Sequence, residues 1–250
     1  MKLTNHTILI TGGALPGLGG GLAEAFHKRG NKVIITGRKE QPLKEMAAKF
    51  PGMETFAMDV AKEADAKRLF DFISQKYPNL DVLVNNAGVM QWPDFAKLER
   101  LDEHLFDEID INLKGLIRMT AVFLPLLNKQ KEAFLINVSS GLAYMPLASA
   151  PIYCATKTAV HFFSMSLRHQ LRHGPVRVIE LAPPAVESNL GQTPGMPKNK
   201  YPRINLETFI SLTMKALESG KEELPIGQSK FLRLGSRFAP SAFFKMLNPS

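Results

Sequence analysis

Short apolar runs alternate with helical stretches along almost the whole chain, and this alternation limits the fold more than any other feature. Ile8-Leu9-Ile10, Lys32 to Thr36, Glu54 to Met58, Val82-Leu83-Val84, Phe134 to Val138, Val176 to Leu181 and Leu224 to Ile226 read as strands. Helical patterns fill the gaps: up to Gly30, over Leu43 to Phe50, Lys62 to Tyr77, Asp102 to Asn128, from Pro151 to Gly174-Pro175, and Leu206 to Ser219. Strands joined through helices make βαβ units. They imply a parallel sheet whose strands' carboxyl ends all face one ligand crevice. At 250 residues, 45% of them hydrophobic, a single α/β domain over residues 1–250 is long enough to bury its own core.

The first strand runs into Thr11-Gly12-Gly13-Ala14-Leu15-Pro16-Gly17-Leu18-Gly19 and then into a helical pattern through Ala23 and Phe26. Glycines let the backbone approach a pyrophosphate, and the free N–H groups and dipole of a helix start favour its negative charge. Read alone, the cluster is equally a tight turn; between a strand and a helix it reads as a dinucleotide site. The second strand ends in Gly37-Arg38, about twenty residues on, where an acid would bind the ribose 2′-hydroxyl of NAD. Here there is no acid. Gly37 leaves room, and the Arg38 guanidinium suits the 2′-phosphate of NADP, with an ordinary surface role as the alternative. Asp59-Val60 and Asn85-Asn86-Ala87-Gly88 close the next two strands on the crevice side, although Asp59 or Asn86 taken singly would serve as a turn or helix cap.

Tyr153 and Lys157 stand four residues apart in Tyr153-Cys154-Ala155-Thr156-Lys157, so they share a helix face behind Pro151. A phenol keeps its proton to about pH 10, and a nearby ammonium favours the phenolate, so the pair suggests proton transfer. By itself such a pair is more often a packed tyrosine and a solvated lysine. Ser139-Ser140 at the end of the fifth strand and Asn112 inside a helical pattern add hydrogen-bonding groups. The turn Ala182 to Ser188 follows the sixth strand. The glycine- and proline-rich stretch after it, within about 189–220, reads as a lid over the site.

The net charge of +8 is spread over most of the chain with no nucleic-acid-binding motif, so a solvated basic surface is expected rather than a nucleic-acid partner. One cysteine, Cys154, forms no internal disulfide and reads as a packing residue. No apolar run marks a signal peptide or a membrane span, so a cytoplasmic protein is expected. No acid follows Glu223, while Lys230, Arg233, Arg237 and Lys245 lie among Phe231, Leu232, Leu234, Phe238, Phe243, Phe244 and Leu247. This basic aromatic tail, 228–250, could pack on its own domain, join a subunit interface or touch an anionic membrane. His169 and His173 have no HExxH pattern or partnered carboxylate, no G-x-S-x-G elbow is present, and no metal site is expected.

In order, the glycine turn, Asp59-Val60, Asn85 to Gly88, Asn112, Ser140, and Tyr153 with Lys157 resemble the short-chain dehydrogenase/reductase family over nearly the full length, with the family's thirteen positions from Ser140 to Tyr153. Asn137 to Ala143 and Leu167 to Leu171 look like its DltE-like oxidoreductase branch. The resemblance implies a single-domain Rossmann fold, a doubly wound parallel sheet with helices on both faces, and Asn112, Ser140, Tyr153 and Lys157 as the catalytic set. Tyr153 would give or take the substrate's proton, and Ser140 would bond the substrate oxygen. Lys157 would lower the tyrosine pKa and bind the nicotinamide ribose. Asn112 would hold a relay water. Cofactor contacts would come from Gly13, Gly17, Leu18, Gly19, Arg38, Asp59, Val60, Asn86, Ala87, Gly88, Tyr153, Lys157, Val186 and Ser188. The family's usual subunit contacts would be the helices around 102–128 and 153–173, giving a dimer or tetramer.

The chain departs from the family pattern in places. Counted from Gly12 the turn has four residues before Gly17 instead of three, with Pro16 among them; counting from Gly13 restores the spacing. Pro184 and Ser188 stand where glycine and threonine are usual. The expected activity is an NADPH-dependent reductase of an apolar ketone or aldehyde, or a dehydrogenase of a secondary alcohol, with Met90, Trp92, Leu142, Tyr144, Met145 and Val186 lining the pocket. The alternative is a cofactor-sensing or interaction protein on the same scaffold, suggested by the irregular glycine loop and the tail.

Overall fold

The computed structural model describes residues 1–97, 104–190, 192, 195, 196 and 202–249. Seven parallel strands, β1 (Thr7–Thr11), β2 (Lys32–Gly37), β3 (Glu54–Ala57), β4 (Val82–Asn85), β5 (Ala133–Val138), β6 (Val176–Ala182) and β7 (Glu223–Pro225), lie in the order β3-β2-β1-β4-β5-β6-β7. All six pairings are parallel, with Ile8 opposite Val33 on one side and Val82 on the other. The strands match their sequence-expected positions within one residue at each end, because buried β-branched runs between turn residues leave little choice of partner or length.

Helices α1 (Leu18–His27), α2 (Glu40–Lys49), α3 (Glu63–Lys76), α4 (Leu116–Leu127), α5 (Pro151–Gln170) and α6 (Leu206–Glu218) sheathe the sheet. Side chains of a strand point alternately to its two faces, and that period divides the core. Ile8, Ile10, Val33, Ile35, Val82, Val84, Ile136 and Val138 meet Leu22 and Phe26 of α1, Met46 of α2, and Phe209 and Leu217 of α6. Leu9, Ile34, Leu83 and Leu135 meet Leu69 and Ile73 of α3, Met119 and Phe123 of α4, and Leu167 of α5. The result is a Rossmann fold, doubly wound, with helices on both faces.

Strand order reverses between β1 and β4, and the carboxyl ends of these strands open on the switch-point crevice. The expected helix from Asp102 to Asn128 is two pieces. Its start falls outside the described residues; Ile109–Gly115 is a π-helical segment, and α4 follows. The lid expected over 189–220 also falls partly outside the described residues, and within it α6 is anchored by Phe209, Met214 and Leu217.

The tail forms two further helices, α7 (Ser229–Phe238) and α8 (Pro240–Leu247). Leu232, Phe243 and Leu247 pack against Met90, Met145, Leu147, Tyr153 and Cys154. Asn248 secures the end, its Oδ1 accepting from the Ala148 N–H at 2.6 Å and its Nδ2 donating to the Pro146 carbonyl at 3.2 Å. The tail's inner face therefore walls the region around Tyr153, while Phe231, Leu234 and Phe238 remain exposed.

Candidate active site

Ser140 leaves the end of β5 and caps a single 3₁₀ turn, Gly141–Ala143, its Oγ accepting from the Leu142 N–H at 3.1 Å. Pro151 begins α5, where its missing N–H costs nothing, and sets Tyr153 and Lys157 one turn apart on the inward face. Both are buried, at 5% and 4% exposure. Lys157 Nζ donates to the Val138 carbonyl at 2.9 Å and stands 5.6 Å from the Tyr153 ring centroid. The Ser140 hydroxyl favours the ionised form of the Tyr153 phenol.

Burial governs the protonation of this cluster. It pushes the Tyr153 phenol upward, with Ser140 pulling the other way, and lowers the Lys157 ammonium to about 8. The sequence-based expectation that the lysine charge dominates the tyrosine is not met here, because removing both groups from water outweighs a cation at this distance. A tyrosine so placed holds its proton at neutral pH, the form a proton donor needs.

Asn112 lies at the middle of the π-helical segment, fully buried. Its Oδ1 accepts from the Val89 N–H at 2.8 Å and its Nδ2 donates to the Val89 carbonyl at 2.9 Å and to Thr156 Oγ1 at 3.3 Å. It thereby clamps the irregular segment after Gly88 to α5. A Cβ on Gly88 would stand 3.2 Å from Asn112 Oδ1 and 3.6 Å from Lys157 Nζ, so glycine keeps the space between them narrow and clear.

The nucleotide side is built on glycine for steric reasons. Gly12 has φ +64°, and a Cβ there would meet the Ala87 backbone at 3.0 Å; one on Gly19 would lie 2.3 Å from both Asn86 Nδ2 and the Gly12 carbonyl. A Cβ on Gly13 would lie 2.6 Å from the Ile35 side chain, so both ways of counting the turn start from a position closed to larger residues. Asn86 Nδ2 donates to the Thr11 and Gly12 carbonyls at 2.9 and 3.0 Å, and Thr11 Oγ1 accepts from the Asn86 and Ala87 N–H groups. Asn86 thus braces the glycine loop. No side chain caps α1 after Gly17, so the N–H groups at Leu18 and Gly19 begin a helix end open to an anion, whereas Pro16 contributes none. This cradle fits a dinucleotide pyrophosphate.

The other expected cofactor residues follow the carboxyl ends of β2, β3 and β6. Arg38 is exposed directly after β2. Asp59 Oδ1 accepts from the Ala61 N–H at 3.0 Å, a turn-capping bond, and Val60 is packed against Gly115. Val186 pairs with Ile204 in an isolated bridge, and Ser188 Oγ accepts from the Leu190 N–H at 3.3 Å. Of the expected pocket residues, Met90, Trp92, Leu142 and Met145 gather around Tyr153, whereas Val186 belongs to the core on the α1 side and Tyr144 stacks edge-on against His161.

Two acids escaped sequence reading. Glu180 of β6 is fully buried and accepts from Ser139 Oγ, with its other oxygen 2.7 Å from His161 Nδ1. Glu108, one turn before Asn112, is also fully buried. Its Oε1 accepts from the Gln91 N–H at 3.0 Å, Oε2 has no partner, and burial raises its carboxyl to about 7 against the pull of Lys157. The available signal was an acid inside an otherwise apolar helical face. His169 and His173 are exposed, and among the described residues no His, Cys, Asp or Glu cluster is placed to hold a metal.

A strand–glycine–helix cradle beside a buried Ser-Tyr-Lys cluster defines a nicotinamide-dependent oxidoreductase scaffold. The family model described as short chain dehydrogenase matches residues 6–196, and the chain belongs to the short-chain dehydrogenase/reductase family, in its DltE-like branch. The uncharacterized oxidoreductase DltE of Bacillus subtilis strain 168 is 42% identical over 99% of this chain and 98% of its own. The NADP-dependent 3-hydroxy acid dehydrogenase YdfG of Shigella flexneri is 32% identical over 70% of this chain and 71% of its own. A short chain dehydrogenase from Burkholderia cenocepacia J2315, solved in complex with NADP, shares the fold over 100% of both chains, with a TM-score of 0.83 at 24% identity.

Proposed function

We propose that this oxidoreductase transfers a hydride between NADP(H) and an apolar ketone or aldehyde, or a secondary alcohol. The observation that carries the reading is the buried Tyr153, one turn from Lys157, whose Nζ stands 5.6 Å from the tyrosine ring centroid. When bound, the nicotinamide supplies or accepts the hydride. Tyr153 gives its proton to the substrate oxygen during reduction, or takes it during oxidation, and the Ser140 hydroxyl bonds the same oxygen as charge gathers there. Lys157, tethered to the Val138 carbonyl, supplies positive charge beside the tyrosine and a donor for the nicotinamide ribose. Asn112 keeps the wall next to Gly88 in register and serves the proton path to Lys157.

The cradle from Gly12 to Gly19 holds the pyrophosphate, with Asp59, Val60, Ala87, Val186 and Ser188 around the remaining cofactor. Exposed Arg38 favours the phosphorylated cofactor, consistent with the NADP named for the Shigella relative. Met90, Trp92, Leu142 and Met145 make the substrate side apolar. The test is cofactor consumption against a panel of apolar aldehydes and ketones, run with NADPH and with NADH. Turnover with NADPH well above NADH supports the reading, and binding of NADPH with no turnover on any carbonyl or alcohol would return the chain to cofactor sensing.

A further inference from the structure

We infer that Glu108 is a positioning residue of the hydride-transfer site: its buried carboxylate acts on Lys157, holding the lysine charged beside Tyr153 where burial alone would neutralise it. This rests on the reading of Tyr153 and Lys157 just given. Three features point to it. Glu108 is fully buried, so it neither meets solvent nor offers a face to substrate. Only Oε1 has a partner, the Gln91 N–H, and the Oε2 of a buried carboxyl left without one is costly unless a nearby charge makes use of it. The groups it acts on electrostatically are Tyr153, Cys154 and Lys157, all on α5.

Other charges are turned elsewhere among the described residues. Asp110 pairs with Lys114 and Asp107 with His104, and the segment carrying Gln91 brings no ionisable side chain within residues 85–93. Among the described residues Lys157 is the cation that pulls on the Glu108 carboxyl and Glu108 the acid that supports the Lys157 ammonium; Asn112, one turn past Glu108, flanks the same narrow space at Gly88 as Lys157 Nζ. The chain places this carboxyl through the π-helical segment, which carries Asn112 toward Val89 and Thr156 directly after Glu108.

The direction of the effect follows from the two titrations. Below about pH 7 Glu108 is protonated and gives Lys157 little support; above that it is anionic and raises Lys157, which with this support stands at about 8 and without it would lie lower. Glu108→Gln keeps the Gln91 bond and removes the charge, so it differs from wild type only on the alkaline side. Turnover at pH 8.5 falls roughly tenfold, while at pH 6.5 it stays within about twofold. A role in packing alone would lower both equally.

Stability gives a readout that needs no turnover. A carboxyl whose folded pKa is raised from 4.5 to about 7 stabilises the fold below pH 4.5, and that contribution is lost as pH rises through 7. The Tm advantage of wild type over Glu108→Gln therefore shrinks between pH 4.5 and 7, and in a Lys157→Met background the shrinkage moves to higher pH. Glu108→Met serves the same comparison if the amide does not fold. A Tm difference independent of pH, or the same window with and without Lys157, overturns the inference even if no carbonyl is turned over; absent turnover with the expected Tm behaviour overturns only the functional reading.

Discussion

At the residue scale, the site combines groups whose protonation is set by burial more than by neighbours. Tyr153 keeps its proton, Lys157 is lowered to about 8, and Glu108 is raised to about 7. Arg38 differs from these in being exposed, and the role proposed for it is recognition of the 2′-phosphate. Charge-assisted hydrogen bonds are worth about 1.5–3 kcal/mol each, so Arg38→Ala should weaken NADPH binding roughly tenfold to a hundredfold and leave NADH nearly unchanged, as read by cofactor fluorescence. An equal loss for both cofactors would remove Arg38 from the phosphate site. That Tyr153 and Lys157 share a helix face was legible from their spacing of four, and the structure places them so, whereas the roles expected of Ser140 and Asn112 came from the family resemblance. Glu108 and Glu180 were not legible, since an acid in a helical pattern reads as a solvated face until tertiary packing buries it.

At the element scale, the π-helical segment and the tail set the walls of the site. Asn112 satisfies both backbone groups of Val89, so Asn112→Ala leaves a buried donor and acceptor unpaired, costing roughly 2–4 kcal/mol and lowering Tm by several degrees. A shift within error would mean that water replaces the amide. The tail separates into an inner and an outer face, and the two respond differently. Leu247 is buried against the Tyr153 cluster, so Leu247→Ala should cost about 2–3 kcal/mol, whereas Phe238→Ser at 80% exposure should change stability by under about 0.5 kcal/mol. Equal Tm losses would contradict this division. The strands and most helices were read correctly because buried runs and 3.6-residue periodicity specify them locally; the stretch from Asp102 to Asn128 was not, since periodicity does not show the π-helical segment inside it. The tail's fold was open among three readings because what covers an amphipathic helix depends on distant residues, here Met90, Met145 and Tyr153.

At the scale of the whole molecule, the sheet and its two helical layers leave apolar side chains outside. Ile117 of α4 and Phe162 and Met165 of α5 are exposed, at 39%, 61% and 41%. These helices are the proposed subunit contacts, and Phe162→Asp should shift sedimentation toward smaller species; an unchanged distribution would place the interface elsewhere. No helix among the described residues is long and apolar enough to cross a membrane. The topology itself was legible from alternating elements, since right-handed crossovers leave few ways to order parallel strands. The substrate was not legible, because the apolar residues proposed to line its pocket come from the segments after β4 and β5, from α5 and from the tail, which only the folded chain brings together.

The central claim is that Tyr153 is the proton-transfer group of a hydride-transfer enzyme, and comparing wild type with Tyr153→Phe tests it most directly. Both proteins would be titrated with NADPH and then assayed for cofactor oxidation by the best carbonyl of the panel. The account predicts cofactor affinity within about threefold and turnover lowered by at least about a hundredfold. Turnover retained by the phenylalanine variant would contradict it.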